Sequence, residues 1–269
     1  MIRGFFDDSS DGSIFLVAGW VTDYQTWERF SKNWRDALDE NPKINYFRHH
    51  EAKSDPPSGQ FEGWSPGQIE AKMRRLANVI CKHEMYGVVS GLNIDAHMAA
   101  FDGSAASWKQ LRSVIKPIHC FHSCAFSASA LILQIQIDRG LIQQKVDLVF
   151  DETNGLLGEC IEVYNRVKEF FPLDKKAIAG TLTEADDKDV EALQAADLLA
   201  GQLITGRRLG FTEEYYRSLW KAHTIYESRA YLPGLDQIPE LIKLFNVAWS
   251  TRQLSRIVDK RDSRPRVDP

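Results

Sequence analysis

Three acidic residues stand in contexts where a free carboxylate is costly or deliberately placed. Asp7 closes the apolar run Ile2–Phe6, and Asp151 closes the buried run Val146–Phe150. Asp197 is embedded in an otherwise apolar stretch, Leu193-Gln194-Ala195-Ala196-Asp197-Leu198-Leu199-Ala200-Gly201. On a helix, Leu193, Ala196, Ala200 and Leu203 lie on faces near Asp197, so this carboxylate borders the core. Burying a charge costs several kcal/mol unless a partner compensates it. A divalent cation shared with two strand-end carboxylates would do so, and an all-oxygen site suits Mg²⁺ or Mn²⁺. Each acid also has a structural alternative. Asp7 and Asp8 fit a turn before Ser9-Ser10-Asp11-Gly12. Asp151 fits a helix N-cap, and Asp197 fits a hydrogen bond from a core tyrosine or a pair with an arginine.

The elements that must position these residues follow from the hydrophobic pattern. Residues 2–7 and 13–21 read as two strands of a hairpin around Ser9-Ser10-Asp11-Gly12. Thr22 or Asp23 caps a helix that buries Trp27, Phe30, Trp34 and Leu38 and stops at Asn41-Pro42. Tyr46-Phe47 begins a short strand, and residues 53–63, rich in proline and glycine, read as a mobile loop. Ser65-Pro66 starts a helix with Ile69, Met73, Leu76 and Ile80 inside. A strand is expected over 86–94, and a helical stretch over 107–139 with a break at Pro117. The strand 146–150 comes next, then a helix over 156–171, a last strand over 177–182, and a helix from Asp189 to Arg208. A final amphipathic helix is expected over 238–254. Alternating strands and helices suit one α/β domain with a mixed sheet over residues 1–250, followed by a basic, frayed tail over 251–269.

The acid-bearing blocks resemble the bacterial and phage family known as domain of unknown function 3800, grouped with ribonuclease H-like folds. That family opens with an aromatic-rich strand running into Asp-Glu-Ser-Gly, to which Phe5-Phe6-Asp7-Asp8-Ser9-Ser10-Asp11 is similar, followed by Phe15-Leu16-Val17-Ala18-Gly19-Trp20. Val149-Phe150-Asp151-Glu152 resembles its strand-then-Asp-Glu block. Residues 193–201 match its Leu-Gln-x-Ala-Asp-x-x-Ala-Gly block, and Phe47-Arg48-His49-His50-Glu51 looks like its His-containing stretch. Asp8 stands where the family has Glu, and Ser10 where it has Gly. The resemblance implies a ribonuclease H-like mixed sheet flanked by helices, with helical elaborations in the middle and at the C-terminus. It also implies metal-dependent phosphodiester hydrolysis, with two ions about 4 Å apart bridged by Asp7 and held by Asp151 and Asp197. No glutamate occurs between Glu84 and Glu152, so Asp8, Glu51 and Glu152 are the candidates for a fourth ligand. His49 or His50 would move protons at the rim, the alternative being a solvated loop.

Rival motifs fail. Asp7–Gly12 begins like a calcium loop, but its twelfth position is Ala18. The Asp-x-Asp of haloacid-dehalogenase-type phosphatases is broken by Ser9. His119, Cys120, His122 and Cys124 fall on about two turns of one helix, where they cannot all reach one ion. Acids outnumber bases 37 to 33, which excludes a generic basic nucleic-acid coat and leaves local patches. Lys72, Arg74, Arg75, Arg207, Arg208 and the tail cations Arg252, Arg256, Lys260, Arg261, Arg264 and Arg266 are candidates for phosphate contacts, and Trp64 for stacking on a base. Neither a signal peptide nor an apolar run of 18 residues is visible, and the four cysteines read as reduced core residues of a cytoplasmic protein. The resemblance implies DNA or RNA as the partner, and no membrane partner is expected. Whether the protein acts as a homo-oligomer stays open. The alternatives are a catalytically inactive module that binds nucleic acid or protein, in phage defence or a mobile element, and a phosphohydrolase for a small nucleotide.

Overall fold

The computed structural model describes residues 1–95, 106–141, 143–152, 173–209 and 214–229, with Cys160, Ile161, Tyr164, Asn165, Lys168 and Glu169 between them. Two long strands, β1 (Ile2–Ser10) and β2 (Ile14–Asp23), form the expected hairpin. Its turn is fixed by Asp11, whose carboxylate accepts the backbone N–H groups of Ser13 and Ile14 at 2.9 and 2.8 Å. Strand β3 (Tyr86–Asn93) pairs antiparallel with β2, and β4 (Val146–Asp151) pairs parallel with β1. Strand β5 (Ala179–Ala185) extends the sheet beside β4, and β6 (Ile225–Arg229) extends it beside β3. The six-stranded mixed order is β5-β4-β1-β2-β3-β6. From β1 the chain turns to one side of the sheet, and from β4 to the other. The carboxyl ends of these two adjacent parallel strands thus mark a topological switch point, where open α/β sheets bind ligands.

Alternation along the strands sends Phe5, Leu16, Ala18, Trp20, Val89 and Val149 into one core. It sends Ile2, Phe6, Val17, Val88, Leu148 and Phe150 into another on the opposite face. The first core is covered by α1 (Tyr24–Asp39), α3 (Pro66–Cys81), α6 (Glu191–Leu209) and α7 (Glu214–Ala222). The second is covered by the long α4 (Ala106–Asp138). Asp23 caps α1 by accepting Thr26 N–H at 3.0 Å, and Ser65 with Gln68 forms a capping box on α3. Trp20, Trp27 and Trp34 are buried, and each indole N–H finds an acceptor: the Ala195 and Arg3 carbonyls and the Gln194 side chain, at 3.1, 2.9 and 2.8 Å.

Several expectations are corrected. Tyr46-Phe47 is not a strand; the chain runs irregularly into a short helix α2 (His49–Lys53), because its N–H groups are taken by side chains of other elements rather than by a sheet edge. The loop expected to be mobile is anchored: Phe61 is fully buried in a 3-10 turn over Gly59–Phe61, and Gln60 bonds Tyr46 and Glu51. Helix α4 passes through Pro117 unbroken, its later face (Phe121, Cys124, Ala128, Ile132) being buried on the sheet. A short helix α5 (Leu173–Ile178), α7 and β6 were not expected. The helix expected over 156–171 is seen only where Cys160, Ile161, Tyr164, Asn165 and Lys168 are helical; the helix expected over 238–254 and the tail lie outside the described residues. All four cysteines are free. Among the described residues no helix is long and apolar enough to cross a membrane.

Candidate functional site

The parallel register pairs Phe6 with Phe150, so Asp7 and Asp151 follow as the next residues of neighbouring strands. Both share the strand face of Phe5 and Val149, the face that α6 covers. Helix α6 brings Asp197 to the same place: its carboxyl lies within hydrogen-bond reach of the Asp7 carboxyl. Asp8 leaves β1 on the opposite face, towards α4, yet still feels the charge of Asp151. Four carboxylates from three distant segments are thus gathered at the switch point.

Protein atoms crowd these groups, although Asp7, Asp8, Asp151 and Asp197 all keep part of their surface open. Burial, then the charges of Asp197, Asp8 and Asp151, holds Asp7 well above the usual carboxylate range. Burial pushes Asp197 up to about 7, with the charges of Asp187 and Asp151 adding to it and the hydrogen bond from His49 N–H opposing it. Asp151 is pushed up to about 6 by burial and by Asp187, and Asp8 to about 6 by burial and by Asp151. Main-chain donors serve each of the three acids on the α6 face, Glu152 N–H being a second one for Asp151. Asp8 N–H reaches Asp7 at 2.8 Å, Asp187 N–H reaches Asp151 at 3.0 Å, and His49 N–H reaches Asp197 at 2.5 Å.

A layer of residues that sequence reasoning passed over fixes these donors. Gln194 accepts Trp34 Nε1–H and Phe47 N–H at 2.8 and 3.1 Å through Oε1, and donates to the Asp187 carbonyl at 2.8 Å. Arg48 grips the Asp187 carboxylate in a fork, with Nε at 3.0 and 2.7 Å from its two oxygens and Nη2 also bonded. The His49 ring lies against Gly201, where a Cβ would overlap Nδ1 and Cγ and sit 2.8 Å from Cε1. The Nε2 of His49 meets Gln202 at 3.1 Å. Gln194, Asp197 and Gly201 recur at i, i+3 and i+7, one face of one helix, which is the sequence signal that could have revealed this layer. Arg48 and Asp187, 139 residues apart, carried no such signal.

The other expected site residues are placed differently. His49 is buried against α6 and not at the rim; its backbone N–H donates to Asp197 in the acid cluster. His50 is exposed on α2. Glu51 faces the 54–64 loop, where it accepts Gln60 N–H at 3.1 Å and Tyr46 Oη–H at 3.3 Å; Gly59, at φ +58°, leaves it room, since a Cβ there would overlap its carboxylate. Glu152 is exposed beside Asp151. The cations considered for phosphate are employed within the fold. Lys72 is buried and donates to the Ala37, Leu38 and Glu40 carbonyls at the end of α1, at 2.9, 3.2 and 2.7 Å. Arg74 pairs with Glu70, Arg75 with Glu40, and Arg207 with Asp11 at 3.8 Å. Trp64 is half-buried and packs edge-on against Phe61 at 5.1 Å, at the border of the first core. Cys120 and Cys124 are core residues of α4; the side chains of His119, His122 and Arg208, and the tail cations, lie outside the described residues.

Among the described residues no three His, Cys, Asp or Glu side chains converge tightly enough to form a ready-made metal centre. The carboxylates are close enough to raise one another's proton affinity but do not form a closed ligand shell. Their chemistry nonetheless fits a hard divalent cation: oxygen donors only, negative charge in excess, and main-chain donors that orient the acids from behind. No family model, curated protein or solved structure matches the chain.

Proposed function

We propose that the protein is a Mg²⁺- or Mn²⁺-dependent nuclease or related phosphodiesterase of ribonuclease H-like type, related to the family of unknown function that its acid blocks resemble. The observation that carries this reading is the meeting of Asp7, Asp151 and Asp197, from residues far apart in sequence, at the carboxyl ends of two adjacent parallel strands. The strand order supports it: a central β1 lies between an antiparallel pair and a parallel pair, as a ribonuclease H-like sheet requires. Asp7, Asp151 and Asp197 would hold the cation. When bound, a divalent ion supplies a water activated near neutral pH and stabilises the charge on the leaving oxygen. The chain's own work is positional. Gln194 and the Arg48–Asp187 pair hold the segments whose N–H groups aim Asp151 and Asp197, and burial against α6 keeps bulk water from one side of the cluster.

A second reading, a binding module without catalysis, is favoured by the Asp7–Asp197 contact, which a shared proton satisfies without metal. The two are separated by thermal denaturation with and without Mn²⁺ and by incubation with DNA and RNA oligonucleotides. The hydrolase reading expects Mn²⁺ to raise Tm, since ligand binding to the native state stabilises it by mass action. It expects Asp7→Asn to remove both the shift and any cleavage. Retention of nucleic acid without cleavage or a metal shift supports the binding module. Phosphate release from nucleotides with polymers left intact supports a small-nucleotide phosphohydrolase.

A further inference from the structure

Beyond the acid cluster, α6 continues into a groove that it forms with α7. The groove has a volume of about 500 Å³, within the usual range of about 300–1,000 Å³ for small-ligand sites. Its floor is Leu203 and Gly206, and three cations line it: Arg207, Arg217 and Lys221. All three are exposed; Arg207 is paired with Asp11 at 3.8 Å, and no carboxylate lines the groove itself among the described residues. In a chain whose acids outnumber its bases this is a local reversal of charge. Trp220 stands at its wall with 37% of its surface exposed, a rarity among the large apolar side chains here. The Tyr216 ring lies edge-on to it at 6.0 Å, and the Tyr216 hydroxyl is buried without a hydrogen-bond partner of ordinary geometry.

We propose that this groove seats a single-stranded segment of nucleic acid, one base stacking on Trp220 while Arg217 and Lys221 hold the flanking phosphates. The choice of nucleic acid over other polyanions rests on the hydrolase reading of the acid cluster. The choice of single strand rests on the groove itself. A strip of cations attracts any polyanion, but an exposed indole beside a small-residue floor offers a flat apolar face. Bases in a duplex have both faces covered, whereas an unpaired base does not. Arg207 lies ten residues beyond Asp197 on the same helix, about 15 Å along its axis, and Gly206 lies roughly half a turn round it. The seated segment therefore flanks the reacting phosphodiester and does not contain it. Its loss weakens substrate binding and leaves the metal chemistry alone.

The test uses the full chain in chelator, so that nothing is cleaved, and fluorescence anisotropy with labelled 12-nucleotide DNA and RNA single strands and a 12-base-pair duplex. Trp220→Ala is expected to weaken single-strand binding on the order of tenfold. Arg217→Glu with Lys221→Glu should weaken it further and flatten the log–log salt slope by about 1.4, two phosphates at about 0.7 each. Both variants should melt near the wild-type temperature and keep the wild-type Mn²⁺ shift. The inference is overturned if both variants bind strands as wild type does, if the duplex binds as tightly with Trp220 indifferent, or if a polyglutamate peptide displaces the strand equally well from wild type and from Trp220→Ala. Wild type that binds no strand at 50 mM salt overturns it as well. The hydrolase reading fails separately. Wild type that shows neither metal shift nor cleavage, yet loses strand affinity on Trp220→Ala, sinks that reading and leaves the groove standing; the reverse pattern sinks the groove alone.

Discussion

Replacing Gly201 by alanine tests whether the α2–α6 contact positions the acid cluster. Alanine is the better helix former, and at an interior helical site the exchange alone should stabilise the protein by about 1 kcal/mol. Here the new methyl would overlap the His49 ring, which is 5% exposed and has no open space to retreat into. Overpacking of this kind costs about 1–3 kcal/mol. Displacing the ring also gives up its bond to Gln202, about 1 kcal/mol, and slackens the His49 N–H bond to Asp197. The net expectation is a loss of about 1–3 kcal/mol, read as a fall in Tm of about 2–4 °C per kcal/mol. The diagnostic is a double-mutant cycle. In a His49→Ala background the three ring atoms nearest the methyl are gone, so Gly201→Ala should become stabilising by about 1 kcal/mol, a coupling of roughly 2–4 kcal/mol. The reasoning is refuted if Gly201→Ala stabilises the wild-type chain, or if its penalty is the same whether or not the imidazole is present.

The raised carboxyls make a signed prediction about pH. Asp7, Asp8, Asp151 and Asp197 bind protons more tightly folded than unfolded, so their contribution is complete below about pH 4 and, for Asp8, Asp151 and Asp197, is lost as pH rises through about 6 to 7. In chelator Tm should therefore fall between pH 5 and 8, and Asp197→Asn should flatten the fall; a level or rising Tm in both proteins contradicts the electrostatics described. Arg48→Met leaves the buried Asp187 carboxylate without its fork and should cost about 3–5 kcal/mol in urea denaturation. Adding Asp187→Asn should recover much of that cost, and a single-variant cost under about 1 kcal/mol would show the pair to be ornamental. Lys72→Met takes the ammonium from three carbonyls at the end of α1, of which that of Leu38 keeps Ile44 N–H, and should cost about 2–4 kcal/mol, with amide exchange quickening first in residues 36–40 if the lysine is the cap that its bonds indicate.

The sequence made legible whatever depends on local periodicity. The hairpin of β1 and β2, the Asp23 and Ser65 caps, β4 and its terminal Asp151, and the apolar α6 enclosing Asp197 all follow from patterns within a few residues. What was not legible depends on partners far away in the chain. Strand β6 is five residues long and mixes Ile225 and Tyr226 with Glu227, Ser228 and Arg229; only the free edge of β3 makes it a strand. The Phe47–His49 segment has the residue types of a strand, but its N–H groups are claimed by Gln194 and Asp197 on α6. Pro117 carries a local breaking signal that the burial of later α4 residues outweighs. The same division runs through the site. The acids announce themselves by their apolar surroundings, whereas the residues that aim them are ordinary polar side chains until the fold brings them together.

That division also says what the cluster lacks. Each acid on the α6 face has only one or two main-chain donors, and hydrogen bonds of this kind, worth about 1.5–3 kcal/mol each to a charged group, do not offset the burial of these carboxylates beside others of their charge, since all three stay raised. The nearest cation, Arg48, is spent in its fork on Asp187, which itself repels Asp151 and Asp197. The largest influences on Asp7 and Asp197 include no positive charge at all. A fold selected only for stability would have replaced Asp197 with leucine or paired it with an arginine from α2. Instead, the surrounding residues hold the carboxylates together, and on the hydrolase reading a cation from outside the chain would neutralise them. At low pH protons suffice; near neutrality, where Asp151 and Asp197 begin to release them, the proposed divalent cation would compete for the same oxygens, and its affinity should strengthen as pH rises from about 6 to 8. Isothermal titration with Mn²⁺ across that interval would read this directly, and an affinity that does not change with pH would mean that the cation, if it binds, binds elsewhere.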